Sequence, residues 1–319
     1  MRLQTEMPGY FLDKFPDLDA LMADLLGLAV TVIDRPEIPI ARLIIVDQDC
    51  LGDRLRTLEE ELHLDGCETD TDDDFYQAVG KTMPFESDAG DVTNVVVLTS
   101  GIVFSVLREL ENGKKSDDWD RYAKLGFDTI CHEFGHCVDN LVRNDLTTSN
   151  PEFEVFKIKT IADYYISHLT SELGAIFWSA SAVFFETYER YESELHDTIR
   201  KSLDRITYLK DTLDFSPPNL RLTASEVSQL FWLIIVKYSE LKFMSLHNSS
   251  LPAPRHDTFD ERMIPILVCT DHELQTLAGK YPEWTVDSFC GLVNCWSAIC
   301  RKYGYEFVED NGEDRLLWV

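Results

Sequence analysis

Residues 129–140, TICHEFGHCVDN, set His132 and His136 four positions apart, with Glu133 beside the first of them. That spacing is a little more than one helical turn, so both imidazoles leave the same side of a helix. Two histidines so placed can hold a metal ion, and the glutamate can take a proton from water on that ion. At 100° per residue, Ile130, Phe134, Cys137, Val138 and Leu141 gather on one side. His132, Glu133 and His136 fall opposite, in company with Thr129, Asp139, Asn140 and Arg143. The helix is therefore expected to anchor by one face and offer polar groups on the other. Gly135 removes a side chain where another element has to approach closely. A solvent-facing helix with two incidental histidines has the same polar face, so a third ligand must decide.

The stretch NDLTTSNP (144–151) is expected to stop this helix, with Asn150 capping the next one and Pro151 at its first position. Helix then runs from 152 to about 213 in more than one piece. Within it Ile161, Tyr165, His168, Glu172, Ala175, Ile176, Ser179 and Val183 share one stripe. The stripe is otherwise apolar or small, so it should face the core. A glutamate buried there as an unpaired charge costs several kcal/mol, which coordination of a dication removes. Two histidines, one glutamate and an open water position make a catalytic zinc site rather than a closed structural one. Glu172 is thus the expected third ligand. His168, one turn earlier on the same face, is the alternative.

HExxH on one helix and a glutamate on the next resembles the gluzincin arrangement of zinc metallopeptidases. More narrowly, HEFGH followed by SELGAIFWSASAV (171–183) resembles the ImmA/IrrE-type bacterial regulatory peptidases. Their ligand glutamate lies in an E-x-x-A helix with an aromatic residue soon after, matched here by Glu172, Ala175 and Phe177. The resemblance spans roughly residues 94–185. The step from His136 to Glu172 is longer than in compact gluzincins. Ile176 stands where thermolysin-like enzymes carry an aspartate four residues after the ligand glutamate. By the same resemblance NVVVLTS (94–100) would be the strand beside the cleft, where an extended peptide adds itself; an internal strand reads equally well. Val142 stands where a metzincin needs its third histidine. The DGCETD segment around Cys67 is at the wrong distance for a peptide deformylase ligand.

Elsewhere, ARLIIVD (41–47) reads as a buried strand and RLRTLEEEL (54–62) as the helix after it. ETDTDDD (68–74) reads as a solvated loop, since it lacks the glycine and closing glutamate of a calcium loop. A helix is expected to open at the capping box Thr223–Glu226. The chain should end in a hairpin turning at Asn311–Gly312. The fold class is therefore α+β: a zincin-like core with a small mixed sheet and active-site helices, then a mostly helical C-terminal half. Residues 1–215 would form the metallopeptidase domain and 216–319 the helical region with its hairpin.

The net charge of −28 argues against a phosphate-binding surface, so neither nucleic acid nor an anionic membrane is an expected partner. It suits a solubilising surface, and more sharply a basic protein or peptide substrate. No apolar run approaches the roughly 20 residues of a membrane span, and the start is not a secretory signal, which points to the cytoplasm. The eight cysteines contain no CxxC pair and read as small buried hydrophobes rather than disulfides.

The expected activity is zinc-dependent peptide hydrolysis. Zinc would be held by His132, His136 and Glu172, with Glu133 as general base. His168, or else Tyr165, would stabilise the oxyanion. The rivals are a catalytically silent zincin-like binding protein and a metal-dependent amidase acting on a small molecule.

Overall fold

The computed structural model describes residues 4–35, 38–62, 72–73, 76–77, 79–86, 92–149, 161–212, 217–256, 259–310 and 313–318. The chain divides into two compact units, one of residues 1–148 with 174–187 and the other of 149–173 with 188–319. Strand β1 (Gln4–Glu6) is followed by helices α1 (Tyr10–Lys14) and α2 (Leu18–Ile33), then by strand β2 (Ile40–Val46) and helix α3 (Leu51–Leu62). The two-residue strand β3 (Asp72–Asp73) falls within the expected acidic loop and pairs with β4 (Tyr76–Gln77) just beyond it; the other residues of that loop lie outside those described. Strands β5 (Gly80–Glu86) and β6 (Val92–Thr99) lead into helices α4 (Ser100–Glu111) and α5 (Arg121–Ser149).

The first unit is built on a four-stranded sheet ordered β1-β2-β6-β5. β1, β2 and β6 are parallel, whereas β5 runs antiparallel to β6 at the edge. β6 is covered on both faces, which is why it reads as an unbroken run of β-branched residues. Val95 and Val97 face α3 with Ile44 and Met83. Val96 and Leu98, with Leu43 and Ile45, face the core that α2, α4 and α5 contribute to. β6 is thus an internal strand. The expectation that it borders a cleft is overturned by β5, which pairs along its free side.

Helix α5 is longer than its sequence suggests. It runs through Gly126 without a break and through 144–149, where a stop is expected. Ile130, Phe134, Cys137 and Val138 are all buried on the expected anchoring face. The proposed cap at Asn150 and Pro151 lies outside the described residues.

The second unit takes in the first part of helix α6 (Ile161–Ser179), most of α7 (Phe185–Thr212), and α8 (Pro217–His247), α9 (Ile264–Ala278) and α10 (Cys290–Lys302). It closes with the antiparallel hairpin β7 (Tyr305–Asp310) and β8 (Glu313–Trp318). The register pairs Asp310 with Glu313, and the expected turn residues Asn311 and Gly312 lie outside the described residues. Helix α8 begins at Pro217, not at the box Thr223–Glu226. Two prolines suit a first turn, because the amide protons they lack would have no partner there anyway. Trp232 meets Trp296 edge-on at 5.6 Å between α8 and α10. Buried Lys242 and Tyr238 share Asp271 as acceptor at 3.2 and 2.7 Å. Among the described residues no helix is long and apolar enough to cross a membrane. The seven described cysteines are free thiols; Cys131, Cys137, Cys295 and Cys300 are buried and Cys50, Cys269 and Cys290 exposed.

Candidate metal centre

His132 and His136 leave α5 on consecutive turns, their ring centroids 4.7 Å apart and nearly perpendicular. Their distance from Glu172 depends on how closely α6 can come to α5. Two glycines set that distance. A Cβ on Gly135 would run into the carbonyl oxygen of Ala175, so at this point the two helices touch through main-chain atoms. One turn along, Gly174 leaves the space filled by the carboxylate of Asp139. Asp139 is buried at 1% and pairs with Arg143 on the next turn of α5. Ala175, Ile176 and Ser179 are buried as the stripe requires.

Glu172 stands one turn before Ala175 on the same helix, and the close crossing carries it to the histidines. One ligand atom each from His132, His136 and Glu172 lie within 4.8 Å of one another, all three side chains being partly exposed. These three form a group that could hold a metal ion. Around a tetrahedral ion such as zinc, bound at about 2.1 Å, donors stand about 3.4 Å apart, so only a small closing of the side chains is needed.

The remaining expected residues fall differently. His168 was expected on the core-facing stripe, but its side chain is 52% exposed against 19% for Glu172. The buried stripe of α6 runs through Ile166, Leu169, Leu173 and Ile176, and the line from His168 to Glu172 forms its border. His168 Nε2 lies 3.9 Å from Glu172 Oε1. Tyr165 is on α6, but its side chain lies outside the described residues, as does Cys67.

Glu133 is 7% exposed and is packed against β5 rather than open to solvent. A Cβ on Gly80 would lie 2.9 Å from Glu133 Cγ and 3.0 Å from its Oε1, so the strand is bare where the carboxylate rests. Two residues along on the same face, the Thr82 hydroxyl lies 2.8 Å from Glu133 Oε2 and 2.9 Å from the Glu133 carbonyl oxygen, and donates to them. Two turns along the same side of α5, the helix is tied to β6 through Asn94, whose amide donates to the Pro39 carbonyl at 2.9 Å and accepts from Asn140 at 2.9 Å. Burial pushes the Cys131 and Cys137 thiols well above their ordinary range, with nearby carboxylate charge adding to it, so both behave as apolar packing.

The sequence reading missed Gly80 and Thr82 because GKTMPFE does not look like a strand with a proline inside it. The usable signal was the proline itself. Pro84 marks an edge, since it cannot donate to a ladder. Comparison with known proteins adds no assignment. No family model, curated protein or solved structure matches this chain.

Proposed function

We propose that this chain is a zinc-dependent metallopeptidase of gluzincin type. The observation that carries the reading is the convergence of His132, His136 and Glu172 donor atoms with Glu133 next in sequence to the first of them. Two neutral imidazoles and one carboxylate suit zinc and leave a coordination position open, as catalytic sites do. The resemblance of HEFGH and of Glu172, Ala175 and Phe177 to the ImmA/IrrE-type peptidases supports the same assignment.

Bound there, zinc would supply Lewis acidity to a water molecule and to the scissile carbonyl. Glu133 then takes the proton from the attacking water and passes it to the leaving amine. His168 remains the first choice for a donor to the developing oxyanion and Tyr165 the second. The substrate is an extended polypeptide that adds to the outer edge of β5. Val79 accepts from Thr99 at 2.9 Å, so Gly80, Thr82 and Pro84 turn their main-chain groups away from β6. Among the described residues no strand pairs with that row, and a polypeptide would use it as a small amide would not. A chain carrying a net charge of −28 favours basic substrate sequences. A silent binding protein would have no use for a base held in this way.

Elemental analysis of the purified full chain should find about one zinc, as a catalytic site requires. His132→Ala and His136→Ala should each strip it. A wild type without bound metal would remove the basis of this reading. Glu133→Gln should keep the zinc and the fold, and lose cleavage of unfolded casein by about 10²-fold or more, since an amide cannot accept the proton. Cleavage by that variant at the wild-type rate would place the base elsewhere.

A further inference from the structure

We infer that Thr82 is the positioning residue for Glu133, so that the strand offering its edge to the substrate also fixes the base. This rests on the reading of Glu133 as general base. Three atoms of the glutamate side chain touch β5 at two alternate residues. Gly80 leaves room for Cγ and Oε1, and the Thr82 hydroxyl donates to Oε2 at 2.8 Å. A glutamate has three rotatable bonds, and holding it in one geometry needs contacts of this kind. The outward main chain of the same residue belongs to the row that a substrate strand would pair with. Substrate docking and base geometry thus meet at one residue. Thr82 has a second acceptor, the Glu133 carbonyl at 2.9 Å, so its single hydroxyl proton is shared between holding the helix and holding the carboxylate.

The test is calorimetric binding of acetohydroxamate to the zinc-loaded full chain. This probe chelates the metal through both oxygens and places its hydroxyl proton against a neighbouring carboxylate. It is too small to use the edge of β5. Its affinity therefore reads the geometry of Glu133 at the metal, apart from substrate docking. Thr82→Val and Thr82→Ala should keep zinc yet bind acetohydroxamate about tenfold more weakly, the worth of one hydrogen bond to a charged group. Thr82→Ser should restore the wild-type affinity. A purely structural threonine would lower the melting temperature of these variants and leave hydroxamate affinity unmoved, which overturns the inference. If Glu133→Gln is weakened while Thr82→Val and Thr82→Ala are not, the role of Thr82 falls and the peptidase reading stands. If wild type binds no acetohydroxamate, or Glu133→Gln binds it as tightly as wild type, both fall together.

Discussion

Asp120 begins the helix that carries the histidines. Its Oδ1 accepts from the main-chain N–H groups of Tyr122 and Ala123, both at 2.9 Å, and its Oδ2 accepts from Arg108 at 2.6 Å. The bond from Ala123 is the largest influence on its carboxyl, and with those from Tyr122 and Arg108 it holds the pKa below the ordinary value against partial burial. A lowered folded pKa gives stability that is complete above the unfolded value and is lost as pH falls through the folded one. Asp120→Ala should therefore cost about 1 kcal/mol at pH 7, the usual worth of such a cap. The gap should shrink below about pH 3.9, where the unfolded carboxylate takes up its proton. Urea melts of both proteins at neutral and acid pH would show this, and a gap independent of pH would mean the cap is not ionic. The residues of the centre were legible to different degrees. His132, Glu133 and His136 announce themselves by spacing. Glu172 was reached because a carboxylate on an apolar stripe needs a partner. His168 was misplaced because a stripe drawn at 100° per residue has no sharp border, and Thr82 was missed because its partner is 51 residues away.

Helix α5 and helix α6 meet where side chains are absent, and that choice of residues sets the geometry of the candidate metal-binding group. Gly135→Ala should force the helices apart, costing about 1–3 kcal/mol as overpacked contacts do. The larger effect should be on metal, because Glu172 rides on α6 and moves with it. Zinc titration of this variant should show a marked loss of affinity, and an unchanged affinity would mean that the crossing does not position Glu172. Gly135 was legible as a close approach from sequence, whereas Ala175 was legible only as a small residue on the core-facing stripe and not as the partner of Gly135. Strands β2 and β6 were legible because both are rich in branched residues, most of them buried. Edge strand β5 was not, having one face on α5 and a proline in the middle. The early end drawn for α5 shows the limit of polar residues as stop signals. Asn144 and Asp145 lower helix propensity by only a few tenths of a kcal/mol each, which a long helix absorbs.

A chain with a net charge of −28 repels itself, and the compact form suffers more than the unfolded one. Raising salt from ~10 to ~150 mM shortens the screening length from about 30 to about 8 Å, so the melting temperature should rise. A fall would mean that exposed ion pairs, such as the ring of Arg42 and Arg54 with Glu6 and Glu61, outweigh the repulsion. The class of the whole fold was readable from element order, strands early and helices late. Its division into units was not, because the first unit takes up residues 174–187 after the chain has left it. The outward row of Gly80, Thr82 and Pro84 bears on the cell as well as the site. Pro84 offers a carbonyl and no amide proton, so the ladder it ends is short. A protein already folded has committed its main chain and has nothing to lay along such a rail. On the proposed reading the enzyme would thus choose by state before it chooses by sequence: well-folded neighbours are spared, and loosened loops, frayed tails and failing domains become its clients.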